Sequence, residues 1–283
     1  MSFTVTTNSQ KASPGGETNE MAANMVIRQD PFNVTLDAPA LLAVSILLVL
    51  GMHFMDRTIL ELLVVLVPLV LLIHNDYLNF LKLGPGGTPP TPAGYARLTW
   101  YRLFTLGDPF TAPPRDPTQQ PAAGILPKDL PYRPGPRPVV AGLAPQRQLN
   151  QHGSLLAFGA LRAALGSLCA RLPDKFKHGF ALFARHPLNV CGNGEVCHIH
   201  SSDRSMHMNL HPDDIKEVLD NGWGQRHPMA WHGLIQSPVP RTYTMIYAPR
   251  DENDLKTICR IIEAAVWYAA AEKVEIPLTS SES

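Results

Sequence analysis

The strongest hydrophobic pattern in the chain is a pair of apolar runs near its N-terminal end. Residues 38–55 contain no charged side chain, and as a helix they would reach roughly 27 Å. A second run, residues 59–73, would reach about 23 Å and carries Glu61 and Pro68. Because neither run has a polar face to present to water, we expect a transmembrane helix or helical hairpin over residues 37–74, in preference to a buried globular hairpin.

The segments on either side of these runs have a different composition. Residues 1–36 are rich in Ser, Thr, Asn and Gly without apolar periodicity, so we expect a disordered tail there, and another at residues 276–283. Residues 75–150 are proline-rich, which disfavours regular helix and central strand. We expect a connector with one juxtamembrane helix at residues 93–106, and the connector either acts as a spacer or packs against the domain that follows.

From residue 151 to residue 275 short alternating runs and amphipathic runs follow one another. Prolines, acidic first turns and glycines mark where the helices begin and end. The predicted elements are helix 153–172, strand 195–200, strand 205–210, helix 212–221, strand 242–248 and helix 251–270. This order predicts an α+β fold in which a small antiparallel sheet packs with helices, preceded by the transmembrane helix or hairpin.

The hairpin of residues 195–210 carries the densest chemistry in the chain. A period of two places His198 and His200 on one face of the first strand, and it separates His207 from Met206 and Met208 on the second. If the register sets His207 opposite either of the first two histidines, three imidazoles cluster on a polar face, which solubility alone does not require. The alternative is that each histidine is a hydrogen-bonded packing residue.

The segment 222–228 is a second candidate, interpreted as a loop. Glycines flank Trp223 there, and Arg226 and His227 follow, so a large ring, a guanidinium and an imidazole can project together. Such a loop suits a planar anionic ligand, or it forms a structural corner in which Trp223 fills the core. Arg250 lies just beyond the predicted strand 242–248.

Charge and cysteine content narrow the possible compartments and partners. Lysine plus arginine equals aspartate plus glutamate, 24 each, with no long run of one sign, so nucleic acid is not an expected partner. The four cysteines show no disulfide pattern of a small secreted domain, which favours a reducing environment. Basic residues on both sides of the apolar runs favour a hairpin with both ends cytosolic. We expect a protein of the endoplasmic reticulum membrane, in contact with lipid, whose C-terminal domain faces the cytosol.

Three motifs, HIHSSDRSMH, GWGQRHPMA and MIYAPR, resemble the fungal luciferase family, as do NDYLNFLKLGPGG and PYRPGPRPVVAGLAPQRQ upstream. The resemblance covers roughly residues 75–268. It implies a membrane-associated oxygenase that needs no cofactor, with O2 as co-substrate and a hydroxylated α-pyrone, such as a hispidin derivative, or a related polyketide as substrate. O2 adds to an enolate-like ring, carbon dioxide leaves and a keto acid results. Arg204 departs from the family pattern, which commonly has glycine after the aspartate of the hairpin turn.

The resemblance also implies roles for individual residues, since the reaction needs a base and cationic groups that hold the reacting anion. The implied positions are His198, His200 and His207 as base and proton relay, Arg226, His227 and Arg250 as stabilisers of negative charge, and Trp223, Tyr247 and Asp203 as substrate-binding residues.

Three other functions remain open at this point. His198, His200 and His207, with Asp203, offer ligands for non-haem iron or zinc, which Cys191 and Cys197 could join. The same pocket would also serve a dark tailoring enzyme of fungal secondary metabolism. A membrane-tethered binding module that keeps the fold without the reaction is the non-catalytic alternative.

Overall fold

The computed structural model describes residues 38–128, 130–178, 181–189, 193–233 and 235–278. The chain divides into two compact units, Met1–Ala96 and Arg97–Ser283. The tail predicted at residues 1–36 lies outside the described residues, as do residues 279–283 of the second predicted tail. Ile276, placed in that second tail by its sequence, is buried, and its backbone N–H donates to Glu263 at 2.7 Å. Ordered packing therefore extends past residue 275.

The first unit contains two apolar helices, α1 at Ala38–Phe54 and α2 at Arg57–Lys82. Asp56 caps α2 by accepting a hydrogen bond from the Thr58 N–H at 2.9 Å. Within the described part of the chain, α2 is the one helix long and apolar enough to cross a membrane by length and composition, and α1 is shorter. With 26 residues α2 extends about 39 Å. It is longer than the predicted run because no glycine or proline interrupts the residues after 73 until Gly84, whose φ is +78°.

The remaining elements follow in a mixed order of helices and short strands. They are α3 Pro92–Tyr101, a 3₁₀ turn Arg102–Phe104, β1 Val140–Ala141, β2 Arg147–Gln148, α4 Leu155–Arg171, β3 Phe176–His178, β4 Ala181–Ala184, β5 Glu195–Ile199, β6 Met206–Asn209, α5 Pro212–Asp220, β7 Gly224–Arg226, β8 Tyr243–Ile246 and α6 Glu252–Ala270. The predicted helices and the predicted hairpin are confirmed, with ends that differ by a few residues.

Six strands form one antiparallel sheet in the order β3-β4-β5-β6-β8-β7, and β1 pairs with β2 separately. Helices α4 and α6 pack on one face of the large sheet, where Met206, Met208 and Ile246 join the buried core. Side chains alternate along each strand, so the polar residues of β5 and β6 lie on the other face. The predicted α+β fold class is confirmed.

The sheet is wider than its sequence indicates. β3, β4 and β7 have three or four residues each, which is too short for a visible alternation. Segment 222–228 contains strand β7, whose residues pair with β8 at the edge of the sheet. The interpretation of this segment as a loop was wrong for residues 224–226.

The proline-rich connector packs closely against the helices and strands from residue 106 onward. The Leu106 N–H donates to the Pro228 carbonyl at 3.0 Å, and the Leu126 N–H donates to Asp214 at 2.8 Å. Trp267 donates through Nε1 to the Ala123 carbonyl at 3.0 Å. These bonds satisfy backbone groups that prolines cannot place in a ladder, so this part of the connector is a layer of the fold, and the spacer interpretation does not apply to it.

A glycine in β7 tests the sheet edge. A Cβ on Gly224 would lie 2.3 Å from the Met245 carbonyl oxygen, so we expect Gly224→Ala to lower the free energy of unfolding by about 1–3 kcal/mol, as overpacking does. The matched control is Gly159→Ala on α4, where nothing lies within 4 Å and alanine should add about 0.5–1 kcal/mol. Denaturant unfolding of the purified protein in detergent measures both. Equal unfolding free energies for the two variants would contradict the assignment of β7.

Candidate active site

The polar face of the sheet brings three predicted histidines together. His198 on β5 is the register partner of His207 on β6, as expected for the hairpin. The ring centroids are 5.3 Å apart for this pair, 5.0 Å for His198 and His200, and 4.7 Å for His200 and His207. The cluster follows directly from strand alternation, because the apolar residues of the same strands face the helices.

His227, just after β7, extends the cluster. Its ring centroid lies 5.0 Å from that of His207, and the Tyr243 ring packs at 5.2 Å from His207 and 5.5 Å from His227. His227 Nδ1 accepts a hydrogen bond from the Met229 N–H at 3.1 Å, which leaves its other nitrogen as the protonated one in the neutral ring. Four imidazoles therefore form one connected group.

Each ring of the hairpin has a hydrogen-bonding partner on its outer side. His198 Nδ1 lies 2.6 Å from Glu195 Oε1, and His207 Nε2 lies 2.9 Å from Gln146 Oε1. On the inner side, the Nε2 atoms of His198 and His200 are 3.2 Å apart. The cluster is thus held by acceptors at its margin, while ring nitrogens meet at its centre.

The turn of the hairpin supplies the partners of His200. His200 Nδ1 lies 2.8 Å from Ser205 Oγ and 3.4 Å from Asp203 Oδ1. The Ser205 hydroxyl is 2.8 Å from Asp203 Oδ2, which also accepts from the Gln148 N–H at 2.5 Å. Asp203 is 2% exposed and lies behind His200, so the structure places this predicted substrate-binding residue away from solvent.

Burial sets the charge state of the cluster. Desolvation lowers the pKa of His200 and, together with the neighbouring imidazoles, lowers that of His207 further. The same burial lowers the pKa of His227 to about 3. For Asp203 burial opposes ionisation, but hydrogen bonds from His200 and from the Gln148 N–H outweigh it and lower the pKa. At neutral pH these rings are therefore uncharged beside an ionised carboxylate.

A cavity of about 260 Å³ opens beside the cluster, between α4 and strands β4 and β5. Phe158 and Leu165 of α4 and Leu182 of β4 form apolar walls, and Arg162 lies at the side. Among the described residues that line the cavity, His198 is the member of the histidine cluster. The volume is at the lower end of the range for small-ligand clefts, about 300–1,000 Å³. His198 is therefore the imidazole placed to meet a ligand.

The other predicted substrate residues have internal partners. Trp223 is buried in the core and donates through Nε1 to the Pro131 carbonyl at 2.6 Å, as the structural-corner alternative expects. The Tyr247 hydroxyl donates to Gln225 Oε1 at 3.0 Å, and burial raises its pKa to about 12. Neither is among the described residues that line the cavity.

The two predicted arginines are also engaged in the fold. Arg226 is buried, and its Nη2 donates to the carbonyls of Ala230 at 2.7 Å and Arg241 at 2.9 Å. Arg250 forms an ion pair with Asp254, with Nε–Oδ2 at 2.6 Å and Nη2–Oδ1 at 3.1 Å. Both guanidinium groups lie outside the described lining of the cavity. Arg162 is the arginine that borders it.

The structure adds residues that sequence patterns do not reveal. Glu195 and His198 are three apart, so a regular strand would place them on opposite faces. A bulge changes this, because Leu182 pairs with Cys197 while the next residue, Phe183, pairs with Glu195. Gln146 comes from the connector and has no sequence signal for its contact with His207. Only the turn composition around Ser205 gave a local indication.

The departure at Arg204 has a structural explanation. Its φ is +64°, the left-handed region in which glycine costs least, and this matches the glycine of the family pattern. The arginine donates through Nη1 to the Gly153 carbonyl at 3.0 Å, a bond that offsets part of the cost of this conformation. The turn geometry is therefore kept although the residue type differs.

The three hairpin histidines also have the geometry of a possible metal site. Each offers one nitrogen, and these nitrogens lie within 4.8 Å of one another. Cys197, proposed as a further ligand, faces the core opposite Met208 and is fully buried, and Cys191 lies outside the described residues. A metal would therefore be held by imidazoles alone.

Arg226 allows a test of structural against chemical roles. Lysine cannot reproduce the guanidinium contacts to Ala230 and Arg241, so we expect Arg226→Lys to lower the free energy of unfolding by about 1–3 kcal/mol. Arg260→Lys on the exposed side of α6 is the matched control and should change little. Denaturant unfolding measures both. A variant as stable as the control that still loses turnover would instead support the predicted role of Arg226 in holding the anion.

Comparison with known proteins agrees with these observations. The profile of the Luciferase domain matches residues 193–265, which contain the hairpin, β7 and most of α6. The luciferase of Armillaria mellea is 36% identical over 221 residues, 69% of this chain and 81% of the relative. The luciferase of Neonothopanus nambi is 31% identical over 230 residues, 70% of this chain and 81% of the relative. No solved structure gives a significant match. The chain belongs to the fungal luciferase family, and its relatives support an oxygenase-type enzyme.

Proposed function

We propose that this protein is a membrane-anchored oxygenase that adds O2 to an enolisable hydroxy-α-pyrone or a related polyketide, with loss of carbon dioxide and without a bound cofactor. The observation that carries the proposal is His198, a neighbour of three further imidazoles and the one of them that meets the cavity. Family membership supplies the reaction class. The geometry supplies a base and a place for the substrate.

The proposed reaction balances without an external reductant. The base takes the proton of the pyrone hydroxyl, and the resulting enolate-like anion reacts with O2. Both oxygen atoms are retained in a peroxidic intermediate, from which carbon dioxide leaves and a keto acid remains. Because no electrons are needed from outside, the protein has to supply only a base, a binding site and charge stabilisation.

The cavity residues suit these tasks. A neutral imidazole accepts a proton near pH 7, and Glu195 at 2.6 Å from His198 Nδ1 stabilises the imidazolium that forms. The imidazolium and Arg162 then flank the substrate anion. The apolar walls of Phe158, Leu165 and Leu182 suit the hydrocarbon part of a styryl-type pyrone.

The proposed anchor is α2, supported by its length and by exposed apolar side chains along it. An apolar substrate would partition into the same membrane, which fits a tethered enzyme. We propose the endoplasmic reticulum membrane and a cytosolic catalytic domain, on the charge distribution around the apolar runs. A dark enzyme of fungal secondary metabolism would use the same chemistry without light emission.

The base is tested by removing His198. We expect His198→Gln to lower kcat/KM by about 10²–10⁴-fold, as loss of a general base does. The assay uses the full chain in phosphatidylcholine nanodiscs with 3-hydroxyhispidin, and it measures O2 uptake, CO2 release and emitted photons together. His186→Gln, an exposed histidine outside the cluster, is the matched control and should keep full activity. Equal rates for the two variants would refute the role of His198, and no turnover by the wild-type protein would refute the substrate class.

A metal-dependent oxygenase is the second candidate. The Nε2 atoms of His198 and His200 are 3.2 Å apart, close to the roughly 3.3 Å expected for two imidazoles on tetrahedral zinc with bonds of about 2.0–2.1 Å. The outer nitrogens of the three rings lie near oxygen acceptors, as in many histidine metal sites. Bound iron or zinc would supply a Lewis acid for the substrate oxygen.

Metal content separates the two candidates. The cofactor-independent form predicts far less than one iron or zinc per chain after purification, and O2 uptake that survives dialysis against a chelator. Elemental analysis of the wild-type protein, of His200→Ala and of the control His186→Gln provides the measurement. Stoichiometric metal that is lost only in His200→Ala, together with loss of activity after chelation, would establish the metal-dependent form.

A further inference from the structure

We infer that Glu195 and the Asp203–Ser205 pair are positioning residues that hold His198 and His200 with their protons on Nδ1, so that both Nε2 lone pairs face each other and accept one substrate proton between them. The inference rests on the proposed function for the source of that proton. The tautomers themselves rest only on the contacts around the two rings.

Glu195 determines the tautomer of His198. Its carboxylate oxygen lies 2.6 Å from Nδ1, and a carboxylate accepts but cannot donate, so Nδ1 carries the proton. The Tyr243 hydroxyl donates to the same oxygen at 3.4 Å, which helps fix its place. The bulge in β5 is what brings Glu195 to this face, and the side chain is largely shielded from solvent, at 17% exposure.

The turn determines the tautomer of His200. The Ser205 hydroxyl has one proton and two neighbours, Asp203 Oδ2 at 2.8 Å and His200 Nδ1 at 2.8 Å. A carboxylate is the stronger acceptor, so the hydroxyl donates to Asp203 and its oxygen accepts from His200 Nδ1–H. Asp203 Oδ1, 3.4 Å from Nδ1, also favours the proton there. The Gln148 N–H holds Asp203 from the other side.

The two tautomers leave acceptors at the centre of the cluster. With both protons on Nδ1, the Nε2 atoms of His198 and His200 each carry a lone pair, and they are only 3.2 Å apart. Two facing lone pairs repel, and a single proton between them removes the repulsion. Such a pair is a stronger base than one imidazole, because the proton that it accepts is bound by both rings.

The proton step is simple in this arrangement. The O–H bond of the pyrone hydroxyl breaks, an N–H bond forms at His198 Nε2, and the electron pair stays on the substrate oxygen. The proton then lies in an Nε2–H···Nε2 hydrogen bond to His200. His207 supports the pair from the side, since its Nε2 is hydrogen-bonded to Gln146. Glu195 and Asp203 do not touch the substrate and act through the rings.

Nitrogen-15 NMR of the histidine-labelled full chain in phosphatidylcholine bilayers reads the tautomers directly, with signals assigned by comparison with His198→Gln and His200→Gln. We expect Nδ1–H at both rings in the wild-type protein without substrate. In Glu195→Gln the amide can donate or accept, so an Nε2–H population should appear at His198. Nε2–H at either ring of the wild-type protein, or no change in Glu195→Gln, would overturn the inference.

Kinetics supply the second readout. We expect Glu195→Gln and Asp203→Asn to lower kcat about 10–100-fold with little change in KM, and Glu195→Asp to recover part of the loss. The matched control is Asp213→Asn, which alters a carboxylate 3.4 Å from His211 outside the cluster. A loss no larger than that of the control would overturn the inference. Because the tautomers are read without substrate, an inactive wild-type protein would refute the proposed function alone.

Discussion

The pairing of His198 with His207 across β5 and β6 is the constraint on which the site depends. A strand alternates its side chains, so this register places Met206 and Met208 against the helices and the histidines on the opposite face. A shift by one residue would exchange the two sets and bury imidazoles in the apolar core. The packing that stabilises the domain therefore also assembles the cluster.

Concentrating imidazoles in a buried site has an electrostatic cost that the surroundings reduce. Burial favours the neutral rings, so no positive charges accumulate next to one another at neutral pH. Asp203 keeps its charge because backbone and side-chain donors surround it. The result is a group of uncharged bases beside a fixed negative charge, which stabilises a proton that arrives and does not hold one permanently.

The connector contributes as much to the site as the strands do. Its residue Gln146 contacts His207, and Gln148 contacts Asp203 through its N–H and the Ala248 N–H through its side chain. These contacts cover the histidine face and exclude water from it. A segment whose prolines prevent helix and strand is suited to this, because it can follow the irregular surface of side chains on a sheet.

Strand alternation and helix caps made much of the fold predictable from sequence. The cap at Asp251 and the proline at position 212 mark helices that the structure contains, and the alternation around His207 gave the face of the cluster. Tertiary context decided the rest. β7 has only three residues, Glu195 reaches its face through a bulge, and Arg226 bonds to carbonyls distant in sequence. None of these leaves a local pattern, because each depends on a partner elsewhere in the chain.

The turn at Arg204 connects the two halves of the site. The Gly153 N–H donates to the Asp203 carbonyl at 3.1 Å, and Arg204 donates back to the Gly153 carbonyl. Gly153 immediately precedes the cap of α4, which forms a wall of the cavity, while Asp203 orients His200. The one residue that departs from the family pattern thus lies where the hairpin is tied to the cavity wall. A glycine there would keep the turn but lose one of these bonds, so the distance between the wall and the histidines depends on the identity of this residue. Substrate shape is accordingly the property most sensitive to this substitution.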